Sequence, residues 1–135
     1  MKVIQDIWIL THSGTVLFSR LFDAQMKNQL FGALMSALNM FAEKLAEGGL
    51  SNFELSDKRF ILKKTKNYIF VASSEKKAKE KKVATELEKI VSRFKKKYSN
   101  EWFEAWNCDV SVFEGFEGEI EDTLQEPIKK FWKGF

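Results

Sequence analysis

Residues 3–22, VIQDIWILTHSGTVLFSRLF, hold two β-rich runs, 3–10 and 16–22, around the short polar connection Thr11-His12-Ser13-Gly14-Thr15. Gly at a turn position between two apolar runs predicts a hairpin. Strand alternation puts Leu17 and Leu21 on one side of the second run and Val16, Phe18 and Phe22 on the other. Both faces of the sheet are therefore covered, and helices lie on at least one of them.

Outward from the hairpin the period changes. From Asp23, a candidate N-cap, Leu30, Leu34, Leu38, Phe41 and Leu45 recur at helical steps, widened by Phe31, Met35 and Ala42, until Gly48-Gly49 ends the run. Three short strands follow at 50–55, 59–64 and 67–73, spaced closely enough for an antiparallel meander. The runs at 3–10 and 67–73 are apolar on both faces and are placed centrally. Ser73 or Ser74 is the expected cap of a long second helix carrying Val83, Leu87, Ile90 and Phe94, with Ala84, Val91 and Tyr98, on one face. Trp102, Phe103 and Trp106 continue in helical spacing, Asn107-Cys108-Asp109 reads as a loop, and Ser111 with Glu114 fits a capping box for a last segment. That segment presents Phe113, Phe116, Ile120 and Leu124, and Pro127 interrupts it before Ile128, Phe131 and Trp132.

The 135 residues are 44% hydrophobic and 30% charged, which suits one compact domain over 1–135. One Cys precludes an internal disulfide, and one His precludes a site built on two imidazoles. No apolar run is long enough to span a bilayer, and Asp6 interrupts the N-terminal run as a signal peptide would not. Cytoplasmic residence is the expectation. The net charge of +3 conceals a block of +10 over 57–98 and a block of −9 over 99–126. Two such blocks attract each other, a partner, or both.

The element order is β-β-α-β-β-β-α-α. With IWILTHSGTVLFSRLF as a starting hairpin ending near Arg20, and FGALMSALNMFAEKLAEGGLSNFELSDKRFILKK as a first helix, glycine break and meander, the chain resembles the longin-like fold of the SNARE-like superfamily. That superfamily includes the longin domains of SNAREs, small and medium clathrin-adaptor chains, and sedlin and other TRAPP subunits. Roadblock domains are close relatives that normally begin with a helix; this chain begins with a strand. The resemblance implies an α/β (α+β), profilin-like architecture: a five-stranded antiparallel sheet of order 2-1-5-4-3, with one helix on one face and two or more on the other.

One feature of the first helix stands apart from its fold. No charged residue occurs from 28 to 42, across four helical turns. On a helical projection Gln29, Gly32, Ala33, Ser36, Asn39 and Met40 fall opposite the large apolar set, and a helix face with neither charge nor bulk suits close approach of another helix. These residues, with Phe53 on the third strand, are the expected interface. Longin and roadblock relatives commonly pair through the first helix and third strand, so the resemblance implies a homodimer or a pair with a related longin or roadblock domain. It further implies a non-enzymatic subunit of a trafficking-like or small-GTPase-linked assembly at a cytosolic membrane surface, with a Ras-like small GTPase as candidate partner.

The competing reading is a basic monomeric module. Lys63, Lys64, Lys76, Lys77 and Lys79 head a Lys-rich surface suited to diffuse attraction to anionic membrane, and without interleaved aromatics it is a poor nucleic-acid reader. No catalytic constellation is present. His12 and Ser13 are adjacent but have no orienting acid; the Glu117/Glu121 pair has no nucleophile nearby; Asp109, Glu114 and Glu117 lack the calcium-loop pattern; and no phosphate-binding glycine motif exists. The chain is expected to be no enzyme and to need no cofactor or metal. Cys108 is expected to be partly buried.

Overall fold

The computed structural model describes residues 2–22, 28–47 and 51–126, with side chains of the first helix from Phe31 onward. The expected Asp23 cap, the Gly48-Gly49 stop, the side chains of Gln29 and Leu30, and the restart at Pro127 with Ile128, Phe131 and Trp132 lie outside the described residues.

Strands β1 (Asp6–Leu10), β2 (Val16–Arg20), β3 (Asn52–Glu54), β4 (Lys58–Lys64) and β5 (Ile69–Glu75) form one antiparallel sheet in the order β2-β1-β5-β4-β3. The predicted architecture and strand order are those observed. The sheet interior goes to the strands whose sequences are apolar on both sides: every residue of β1 is buried, and Ile69 to Ser74 of β5 are buried. Helix α1 (Asn28–Leu45) covers one face, where Trp8, Leu10, Val16, Phe31, Met35, Phe60, Leu62, Ile69 and Val71 form one core. Trp8 and Phe31 stack at 3.9 Å between centroids and fix the helix to the sheet.

On the other face α2 (Glu80–Lys97), α3 (Asn100–Glu104), a 3-10 helix at Val110–Phe116 and the short α4 (Glu117–Ile120) close over a larger aromatic core. Its centre is Phe94, which meets Tyr68, Phe70, Tyr98, Phe113 and Phe116. The apolar spacing of α2 is carried out as predicted, with Val83, Leu87, Ile90, Val91 and Phe94 buried.

Several local expectations are corrected. A bulge between Ile9 and Leu10 pairs Ile9 with Phe18 and Leu10 with Val16, leaving Leu17 as the extra residue. It sends Val16 to the α1 core and both Leu17 and Phe18 to the opposite one, so the predicted alternation along β2 fails there. Neither Ser73 nor Ser74 caps α2, because β5 continues through both; Ser73 lies in the sheet bonded to Asp6, and Lys79 occupies the cap position without a side-chain bond. Asp109, not Ser111, caps the 3-10 helix, its carboxylate accepting the Ser111 amide at 3.0 Å. Cys108 is exposed, in a left-handed conformation at φ 67°.

Candidate interaction surface

The charge-free helix is where the structure departs most from the sequence reading. Gly32, Ser36 and Asn39 point inward, with Ser36 and Asn39 6% and 4% exposed. What approaches closely is the β1–β2 turn, not another helix. Gly14, at φ 98°, lies so near that a Cβ on Gly32 would overlap its carbonyl oxygen and stand 2.8 Å from Val16 Cγ2. Ser36 Oγ donates to the His12 carbonyl at 2.9 Å, and Asn39 Oδ1 accepts from Lys64 Nζ at 2.7 Å. His12 Nε2 in turn lies 2.8 Å from the Thr65 carbonyl, tying the turn to the β4–β5 connection. The small and amide-bearing residues therefore seat α1 on the hairpin.

Turning that side inward turns part of the apolar set outward. Leu34, Leu38, Phe41 and Leu45 are 53%, 38%, 63% and 74% exposed, and Met40 is 59% exposed. Their steps of four, three and four residues make one continuous stripe along three turns. Burying a Leu or Phe side chain gains about 1.5–3 kcal/mol, so a run of them left in water is an unusual arrangement for a free surface. Of the expected interface residues, Ala33 and Met40 are exposed, while Gly32, Ser36 and Asn39 belong to the interior. Phe53 is half-buried, stacked on Phe60 at 4.6 Å, and the exposed Leu55 follows β3 at the sheet edge. The signal that identifies the true outer face was present in the pair Gly14 and Gly32: a helical glycine and a turn glycine that need each other's absence of Cβ.

Three lysines of the Lys-rich surface form exposed ion pairs, and a fourth holds an amide. Lys63 pairs with Glu88 at 3.3 Å, Lys76 with Glu54 at 3.6 Å and Lys77 with Glu75 at 3.3 Å, while Lys64 holds Asn39. A hydrogen bond from Arg59, seconded by Lys76, holds the Glu54 carboxyl below its ordinary range. Lys79 is exposed and has no ion pair among the described residues. The two charge blocks do meet: Arg93 binds Asp122 through both terminal nitrogens, at 2.6 and 3.1 Å, and Lys97 pairs with Glu119. Glu86, buried on α2, sits between Lys82 at 3.6 Å and Lys89 at 2.9 Å.

Two buried polar centres were not anticipated. Asp6, 3% exposed within β1, accepts Ser73 Oγ at 2.6 Å, Lys58 Nζ at 2.7 Å and the Phe22 amide at 2.6 Å. It holds the chain where β2 ends. Arg20, 8% exposed, donates to the carbonyls of Gln5, at 2.8 Å, and Gln125. Burial lowers the pKa of its guanidinium, opposed by the fields of Glu117, Asp6, Glu126 and Glu121. A carboxylate inside an otherwise apolar strand and a lone arginine at a strand end were the only sequence signals for either. Among the described residues no three of His, Cys, Asp and Glu come together as metal ligands, and no helix is long and apolar enough to cross a membrane.

A model of the first longin domain of FUZ, MON1 and HPS1 matches residues 5–102. No curated protein matches the chain. Among solved structures, MglB of Myxococcus xanthus has a TM-score of 0.49 at 10% identity, over 58% of this chain and 69% of that one. A roadblock/LC7 domain from Streptomyces avermitilis has a TM-score of 0.47 at 15% identity, over 57% of this chain and 70% of that one. The family match runs from the start of β1 through all five strands, α1 and α2, the same elements that carry the longin-like order, and the chain belongs to the family of first longin domains of FUZ, MON1 and HPS1.

Proposed function

We propose that this longin domain is a non-enzymatic interaction module that pairs with a second longin-type domain through the outward face of α1 and the adjoining β3 edge. It serves as a subunit of a trafficking-like, small-GTPase-linked assembly at a cytosolic membrane surface. The observation that carries the reading is the uncharged stripe Leu34, Leu38, Phe41 and Leu45 standing in solvent. Such a stripe suits helix-to-helix packing, and its lack of charge means that two copies can meet without burying an unpaired ion. Membership of a family of first longin domains, which implies a second, supports a related domain as the partner. The internal pairing of Lys63, Lys76 and Lys77 favours this reading over a module that works through its basic surface alone.

The test is sedimentation velocity at micromolar concentration on the wild-type chain and on Leu38→Glu/Phe41→Glu. Both side chains are exposed, so the variant keeps its circular dichroism spectrum. A wild-type dimer that becomes a monomer supports the reading, as does a wild-type monomer that binds a longin domain from the same assembly only while the stripe is intact. A monomer whose binding to that domain survives both substitutions sinks it.

A further inference from the structure

Three connections meet at one end of the sheet. His12 Nε2, in the β1–β2 turn, lies 2.8 Å from the Thr65 carbonyl in the β4–β5 turn, and Asn67 of that turn donates to Asn100 Oδ1, at 2.9 Å, where α2 gives way to α3. These bonds join the three connections into a single face. None of the stretches that build it carries a carboxylate: no Asp or Glu occurs in residues 7–22, 58–74 or 89–100.

The free cations of this face are lysines. Lys63 on β4 pairs with Glu88 on α2 at 3.3 Å, and Arg59, near the start of β4, bonds the Ala78 carbonyl just before α2, so strand and helix run side by side in the same direction. Lys95 lies two turns beyond Glu88 on the same side of the helix, about 10 Å along its axis, and three residues of extended chain carry β4 about 10 Å from Lys63 to Lys66. Lys95 therefore comes level with Lys66, and Lys96 follows it on the side of α2 turned away from the buried Phe94. All three are exposed and have no ion pair among the described residues, whereas Arg93 and Lys97, on the other flank of α2, are held by Asp122 and Glu119.

The chemistry of the face selects its partner. Lysine is a compact, hydrated point charge on a flexible stem, suited to a diffuse field and not to fork-like capture of a single phosphate. None of the exposed large apolar side chains lies within the three connections, so the face lacks the apolar centre of a protein interface. Tyr68, which follows the β4–β5 turn, is buried and offers no ring on which a base could stack. We propose that this end of the domain docks on an anionic lipid bilayer, with Lys66, Lys95 and Lys96 in the bilayer's field. The proposal rests on the reading of the domain as a subunit at a membrane surface and adds which end meets the lipid. It makes no use of the α1 stripe, which stays available to a protein partner.

Co-sedimentation of the full chain with vesicles of phosphatidylcholine containing about 30% phosphatidylserine, at ~0.1 M salt, tests it. The wild type should bind these vesicles and not vesicles of phosphatidylcholine alone, and ~1 M salt, where the Debye length falls to ~3 Å, should release it. Each lysine near such a surface is worth about fivefold in binding, so Lys66→Gln/Lys95→Gln/Lys96→Gln should weaken it about 100-fold. Lys76→Gln/Lys77→Gln/Lys79→Gln removes the same charge elsewhere and should weaken it less than about fivefold. All the substituted lysines are exposed, so both variants keep the circular dichroism spectrum of the wild type. No wild-type binding, an equal loss in the two variants, or a first variant that binds as the wild type does overturns the proposal, as does tighter binding to duplex DNA than to the vesicles at the same salt. A chain that dimerises or captures a longin domain yet ignores anionic vesicles loses this proposal alone. One that binds vesicles through these lysines but pairs with nothing loses the α1 reading alone.

Discussion

Gly32→Ala separates the two possible orientations of α1 by sign alone. In a solvent-exposed helix interior, Ala is better than Gly by about 1 kcal/mol, so an outward Gly32 would make this substitution stabilising. In the structure the new methyl meets the Gly14 carbonyl and, at 2.8 Å, Val16 Cγ2. Val16 can turn. The Gly14 carbonyl cannot withdraw easily, because the turn is closed by Thr11–Thr15 and Gly14–Thr11 backbone bonds of 2.9 and 3.0 Å and anchored through His12 to Thr65 and Ser36. Overpacking of a tight contact costs about 1–3 kcal/mol, and a backbone oxygen as the obstacle puts this site at the upper end or beyond. Set against the propensity gain, the net loss is about 1–2 kcal/mol, a Tm lower by about 3–8 °C for a domain of this size. Differential scanning calorimetry reads it. Gly115→Ala and Gly118→Ala, where a Cβ meets nothing within 4 Å, are the controls and should leave Tm unchanged or raised. A Gly32→Ala protein as stable as the wild type or more so would refute the seating of α1 on the turn, and with it the outward stripe.

Other outcomes follow from the same geometry. Ser36→Glu places a carboxylate on the buried side of α1 and should unfold the helix from the sheet, seen as lost near-ultraviolet ellipticity, instead of acting as a surface substitution. Asp6→Ala strands Ser73 Oγ, the Phe22 amide and Lys58; with Lys58 able to reach water, a loss of about 2–4 kcal/mol in urea unfolding is expected, and one below 1 would show the network to be dispensable. Phe31→Ala removes the stack on Trp8 and should lower stability by about 3–5 kcal/mol. Burial, with a smaller contribution from Tyr98, pushes Tyr68 up to about 12, and burial also raises Tyr98. At pH 10 the folded chain should therefore show less tyrosinate absorbance than the unfolded chain. A raised pKa means that the folded state holds the proton more tightly, so this stability is complete below pH 10 and is lost as pH climbs from 10 towards 12. As much tyrosinate at pH 10 in the folded chain as in the unfolded one would contradict the buried placement.

The two charge blocks illustrate how far composition reaches. Their proximity was legible because charges of opposite sign on adjacent helices lower their energy by meeting, and Arg93 with Asp122 and Lys97 with Glu119 do so. What composition could not tell was that Glu54, Glu75 and Glu88, which lie outside the acidic block, would take up Lys76, Lys77 and Lys63. Those pairings depend on strand register and on where α2 crosses the sheet. The bulge at Leu17 is of the same kind: alternation is a rule of regular strands, and one inserted residue reverses it for everything upstream.

By itself the sequence determined the element order, the central position of β1 and β5 and the buried face of α2, since each follows from a local period that only one packing satisfies. It also marked α1 as unusual by its missing charge. Only the tertiary structure decided which side of α1 is free, because a helix with large apolar residues on one side and small uncharged ones on the other can bury either. The choice rests on a partner distant in sequence. Gly14 in the hairpin turn needs Gly32 beneath it, and once that contact forms, the helix has a single rotation about its axis, with Leu34, Leu38, Phe41 and Leu45 in solvent.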